Sequence, residues 1–153
     1  MKTATFTRSA EITWSGDVIR GSGSVSAGSG AFQLPATFPS LRGEPAGMTT
    51  PEELLAASHA VCFGIGLRSV IGRNGGVATT IRMSATITAE KGPEGIRVRR
   101  SHLVGVVEGL QGIGPARLPE LGATVERECT ISTAIRGAVE ITYDIVALTE
   151  HPQ

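Results

Sequence analysis

Residues 50–76 read TPEELLAASHAVCFGIGLRSVIGRNGG, and the fold turns on this stretch. Thr50 stands where a helix N-cap needs a side-chain acceptor. Pro51 suits the first helical position, where its missing N–H has no partner to lose, and Glu53 completes a capping box three residues after Thr50. At the far end, Arg73-Asn74-Gly75-Gly76 supplies a cation for the last turn and residues that tolerate a left-handed stop. The spacing predicts a helix of about 22 residues, roughly 33 Å long at 1.5 Å per residue. Its apolar residues go most of the way round, which predicts a buried central helix, since a solvent-facing one would carry a polar stripe.

Working outward, the flanking segments alternate with a period of two. Ala4, Phe6, Ala10, Ile12 and Trp14 fall on even positions, as in a half-buried strand over residues 4–14. Ser15-Gly16-Asp17 turns the chain into a second strand over residues 18–27, and Phe32 and Leu34 mark a short third. Residues 35–48 are rich in Pro and Gly and read as a surface loop that carries Arg42. Beyond the helix, Ile81, Met83, Ala85, Ile87 and Ala89 alternate again. Residues 91–95 then make a turn, and a strand resumes at Ile96 and Val98 and runs toward Val107. Pro115 opens a short helix whose Leu118, Leu121, Val125 and Cys129 share one face, a further turn over residues 131–136 closes on Gly137, and Val139, Ile141, Tyr143 and Ile145 form a last strand. The expected class is α+β with largely antiparallel sheets around the long helix, as one domain over residues 1–153.

Composition narrows the function. Among 153 residues, 14 Lys and Arg balance 14 Asp and Glu, and the pI is near 6.8. No global field pulls the chain toward phosphates, so nucleic acid and anionic membranes are poor partners. The longest apolar run, residues 54–67, is interrupted by Ser58, His59 and two glycines, and predicts no membrane span. The N-terminus alternates and shows no basic region followed by an apolar core, which points to a cytoplasmic, reducing setting. There, two widely separated cysteines that match no metal-ligand spacing are unlike a permanent brace.

Cys62 lies mid-helix among Val61, Phe63, Ile65 and alanines. The bland reading is an inert core thiol, and at mid-helix the dipole cannot ionise it. A thiolate there needs a cation, and the candidates are His59, one turn earlier, and Arg42. Cys129 faces inward with the apolar stripe of the second helix, so two inward thiols can meet, as a redox couple or as two core residues. Glu53 is occupied by the cap, which leaves Glu52 free to hold a cation.

The run from Thr50 to Phe63 resembles the helix of the OsmC/Ohr family of thiol-dependent organic hydroperoxide reductases. Glu128-Cys129-Thr130-Ile131-Ser132 is similar to the family's second cysteine segment, although Thr130 stands where Pro is usual, and Trp14-Ser15-Gly16-Asp17 resembles the OsmC branch. The resemblance implies that Cys62 is the peroxidatic cysteine and Cys129 the resolving one. It also implies that Arg42 activates the thiolate and polarises the peroxide, that Glu52 holds Arg42, and that His59 packs or hydrogen-bonds. It further implies an OsmC-like intertwined homodimer, a lipoyl-type or other small dithiol as reductant, and no metal, flavin or haem.

Glu52 and Cys62 stand ten residues apart on the helix, about 15 Å along its axis. One Arg42 hardly reaches both within a subunit, so composite sites built by two paired helices are expected. An apolar wall beside Cys62 would favour organic peroxides, with Phe63, Trp14, Phe32 and Phe38 as its candidates. Two other readings compete. One is a Cys-His hydrolase using His59 and Cys62, for which no oxyanion hole or orienting third group is evident. The other is a non-enzymatic binding or stress protein with structural cysteines.

Overall fold

The structure, a computed structural model, describes residues 2–38 and 47–148, and Arg42 lies outside the described residues. Two compact units emerge, Met1–Leu54 and Leu55–Gln153, each with its own three-stranded sheet.

In the first unit, β1 (Ala10–Ser15), β2 (Ser22–Ala27) and β3 (Gln33–Ala36) pair antiparallel in chain order. The predicted hairpin is present with shorter arms. Asp17 Oδ1 accepts from the N–H groups of Ile19, at 2.9 Å, and Arg20, at 2.7 Å, so residues that were expected in β2 belong to the turn. Gly16, at φ +89°, lets the chain enter that turn. Residues 4–9 alternate but form no strand, because β2 ends at Ala27 and the turn after it leaves them no ladder to join.

The helix α1 (Pro51–Arg73) follows as its caps foretell. Thr50 Oγ1 accepts from the Glu53 N–H at 3.3 Å, and at the other end Gly75 adopts φ +84° while the Gly76 N–H reaches the Ile71 carbonyl at 2.9 Å. The expectation of burial all round is corrected. His59, Phe63, Leu67, Val70 and Ile71 are buried, whereas Val61 and Ile65 on the other side are 61% and 67% exposed. The chain has enough second-unit surface to cover one face of α1, not both. By length and composition this helix could also cross a membrane, contrary to the sequence expectation. A core helix of a globular protein has the same composition, and the buried face of α1 packs in such a core.

In the second unit, β4 (Thr80–Gly92) and β5 (Gly95–Glu108) form a long hairpin. A bulge leaves Arg99 between Val98, opposite Ala89, and Arg100, opposite Thr88. The extra residue moves the inward phase from even to odd positions, so Ser101, Leu103, Gly105 and Val107 face the core. A 3₁₀ turn at Pro115–Arg117 leads into α2 (Leu118–Glu128), then α3 (Thr130–Ile135), then β6 (Glu140–Ala147). Here the antiparallel expectation fails, since β6 pairs parallel to β5, Arg100 with Glu140 through Val107 with Ala147. The helices between them form a crossover that returns the chain to the same end of the sheet, and a crossover delivers a parallel strand.

The core of this unit joins Phe63, Leu67, Val70 and Ile71 of α1 to Leu103 and Val107 of β5, Leu118, Leu121 and Val125 of α2, and Ile145 of β6. Gly122 lets α2 approach β6, because a Cβ there would come within 2.7 Å of Ile145 Cδ1 and Tyr143 Cε2.

Candidate active site

The second unit brings both cysteines together. Cys62 sits on the fourth turn of α1, half-buried and packed against the core cluster that contains the buried Cys129, close enough to help raise the pKa of that thiol. Both are free thiols. Cys129 is not on the helix predicted for it. The helix α2 stops at Glu128, and Cys129 takes an extended conformation, φ −63° and ψ 122°, as the N-cap of α3. Its sulfur accepts from the Ser132 N–H at 3.5 Å. The resolving candidate therefore lies at a joint between two helices. Arg136, at the end of α3, closes that joint by donating from Nε to Glu126 Oε1 at 3.0 Å and from Nη2 to the Glu126 carbonyl at 2.6 Å.

Burial is the main cause that pushes the Cys129 thiol up from its ordinary pKa, and the neighbouring Cys62 adds to it. The Ser132 N–H and hydroxyl act in the opposite direction.

His59 lies fully buried beside this pair of elements. Its Nδ1 is 2.6 Å from Ser101 Oγ on β5, and its Nε2 is 2.8 Å from Ser132 Oγ on α3. The Phe63 ring stands edge-on to it at 6.2 Å. Burial lowers the His59 pKa, with a smaller opposing contribution from the Glu126 carboxylate, so the imidazole is held neutral. That removes His59 as the cation for a Cys62 thiolate. It also weakens a Cys-His dyad, because both ring nitrogens are taken by serines. The hydrogen-bonding role expected of His59 is the one the structure shows.

The remaining sequence candidates are placed differently. Glu52 occupies the first turn of α1, and its Oε2 is buried without a hydrogen-bond partner among the described residues. Among the aromatic candidates for an apolar wall, Phe63 is a core residue instead, fully buried and 5.8 Å from the Tyr143 ring. Trp14 and Phe38 do line a cavity, one of about 410 Å³ within the first unit that they share with Ile12, Val18, Val25 and Leu54. Phe32 is 38% exposed.

Ser101 and Ser132 are the site residues that sequence reading missed. A serine among the inward odd positions of β5 was a visible signal, because a buried hydroxyl requires a partner. Ser132, three residues after Cys129, repeats the spacing of an N-cap to its third helical residue.

With this geometry in view, comparison with known proteins is decisive. Residues 43–144 match the model of the OsmC-like protein family. The chain belongs to that family. It is 29% identical over 142 residues to the peroxiredoxin OsmC of Escherichia coli strain K12, covering 92% of this chain and 98% of that one. Among solved structures it is similar to the organic hydroperoxide resistance protein OsmC of Legionella pneumophila, with 26% identity, a TM-score of 0.75, and 94% and 99% of the two chains covered. An organic hydroperoxide resistance protein of Elizabethkingia anophelis shares the fold, with a TM-score of 0.76, 22% identity, and 97% and 100% coverage.

Proposed function

We propose that this OsmC-like protein is a thiol-dependent peroxidase that reduces organic hydroperoxides to alcohols. The observation that supports the reading is a half-buried Cys62 packed against the core cluster that contains a buried Cys129, in a chain whose relatives are named peroxiredoxin OsmC and organic hydroperoxide resistance protein. The Cys62 thiolate attacks one peroxide oxygen, the O–O bond breaks, and the alcohol departs while Cys62 becomes a sulfenic acid. Cys129 then condenses with it, forming the disulfide and releasing water. A small dithiol, of lipoyl type by family resemblance, restores both thiols in a reducing cytoplasmic setting.

Arg42 is the group assigned to favour the Cys62 thiolate and to polarise the peroxide, with Glu52 holding its guanidinium. A carboxylate oxygen that is buried without a partner among the described residues supports that role for Glu52, since burial of such an atom is costly unless a cation or donor meets it. The active assembly is a homodimer in which α1 helices pair through the outward Val61 and Ile65 face, and each site draws on two subunits.

The test is hydroperoxide consumption with a dithiol reductant. Cys62→Ser should abolish it, and Cys129→Ser should accumulate oxidised sulfur at Cys62. If neither substitution alters turnover, the reading is wrong and structural cysteines in a non-enzymatic fold are the better account.

A further inference from the structure

A fully buried histidine bonded to two serines has no part in the peroxide step, yet one of those serines touches the resolving sulfur. We propose that Ser132 and His59 form a proton relay that ionises Cys129 for its attack on the Cys62 sulfenic acid; the proposal rests on the peroxidase reading above.

The relay uses the His59 tautomer that carries its proton on Nδ1. With Nδ1–H donating to Ser101 Oγ over 2.6 Å, Nε2 is bare and accepts from the Ser132 hydroxyl over 2.8 Å. Cys129 stands three residues before Ser132, its sulfur already accepts from the Ser132 N–H at 3.5 Å, and the Ser132 hydroxyl is near enough to help lower the pKa of that thiol. As the Cys129 sulfur attacks, its proton passes to Ser132 Oγ, and the Ser132 proton passes to His59 Nε2. The S–S bond forms, the S–O bond of the sulfenic acid breaks, and the departing hydroxide takes a proton from solvent at the half-exposed Cys62 side to become water. The imidazolium afterwards returns its proton to solvent. The sum is two sulfur groups joined with loss of one water, without an external reagent. Ser132 touches the reacting sulfur and is the catalytic residue of the relay, and His59 acts through it as a positioning residue.

Two features of the environment suit this task. Burial raises the Cys129 pKa, so the thiol does not ionise unaided near neutrality, and burial keeps His59 neutral and able to accept. The charged and titratable groups facing the relay are Cys62 on α1, Cys129 at the α2–α3 joint, and Glu126 on α2 with its partner Arg136. Tyr143 on β6 reaches His59 only by way of the Phe63 ring.

The experiment isolates the second chemical step. Reduced full-length protein receives one equivalent of tert-butyl hydroperoxide, samples are quenched at short intervals, and mass spectrometry follows conversion of the Cys62 sulfenic acid to disulfide between pH 5.5 and 9. In the unaltered protein the conversion rate should be level with pH wherever His59 is neutral, and should fall only below the ordinary imidazole range. In Ser132→Ala the rate should drop about 100-fold near pH 7, the scale of general acid-base assistance. It should also climb about tenfold per pH unit, because the thiolate must then come from direct ionisation. His59→Gln should show the same slope.

Conversion in both variants at the original rate overturns the relay. So does a slower conversion that keeps the level profile, since a merely displaced thiol loses rate without acquiring a pH dependence. Absence of any Cys62 oxidation in the unaltered protein overturns the peroxidase reading along with the relay.

Discussion

Glu52, His59 and Cys129 differ in what surrounds them, and each difference has a measurable consequence. The Glu52 Oε2 is buried without a partner among the described residues. If its task is to hold a guanidinium, Glu52→Gln should reduce hydroperoxide kcat/KM by roughly 10 to 100-fold, the effect of losing one charge-assisted contact at about 1.4 kcal/mol per tenfold. Thermal stability should fall as well, because the guanidinium loses its counter-charge. Loss of stability with unchanged kcat/KM would make Glu52 structural.

His59 and Cys129 each give the stability of the fold a pH dependence. The His59 pKa is lowered by burial, so the unfolded chain binds a proton first. The contribution of this site to stability is therefore present above the ordinary value of 6.5 and is lost as pH falls through the folded one. The Cys129 pKa is raised, so its contribution is present below the ordinary value of 9.0 and is lost as pH rises through the folded one. Denaturant midpoints of the reduced protein should peak between about pH 6.5 and 9.0 and decline on both sides. Oxidation should remove the alkaline decline, because a disulfide sulfur does not titrate. An alkaline decline of equal size in both redox forms would assign it elsewhere.

At the scale of elements, Gly122 shows how closely α2 rests on β6. Alanine in its place would gain roughly 1 kcal/mol of helix propensity. The added methyl would also press to 2.7 Å against Ile145 and Tyr143, and overpacking of this kind costs typically 1–3 kcal/mol. Gly122→Ala should therefore lower the thermal midpoint, and a raised midpoint would show that the β6 side chains yield freely.

Much of α1 was legible because its signals are local: Thr50 caps it, Glu53 follows at the right distance, and Asn74 and Gly75 stop it. The strand direction of β6 was not legible, because alternation of Val139, Ile141, Tyr143 and Ile145 reports a face and says nothing of polarity. Cys129 continues the helical spacing of Leu118, Leu121 and Val125, so its place at a joint between helices could not be read from periodicity. That the two cysteines lie near one another was suggested by their inward faces. The His59 contacts to Ser101 and Ser132 join residues far apart in the chain, which no local pattern reveals.

At the scale of the molecule, the exposed Val61 and Ile65 explain why α1 is more apolar than the second unit needs it to be. Apolar side chains 61% and 67% exposed on one helix face fit a partner helix better than water. In the proposed dimer, Val61→Glu combined with Ile65→Glu should shift sedimentation equilibrium to monomer while the circular dichroism of the fold persists. Hydroperoxide turnover should fall at least tenfold with dissociation, in keeping with sites shared between subunits and a contact loss of about 1.4 kcal/mol or more. A monomer of full activity would contradict the composite site.

The central claim is that Cys62 and Cys129 are one redox couple, and mass spectrometry of the protein after one equivalent of an organic hydroperoxide tests it most directly. The account predicts an intact chain lighter by two hydrogens, with the Cys62 and Cys129 peptides linked and the link reversed by a dithiol. Two thiols left unchanged after the hydroperoxide has been added, or an oxidised Cys62 that never joins Cys129, would contradict it.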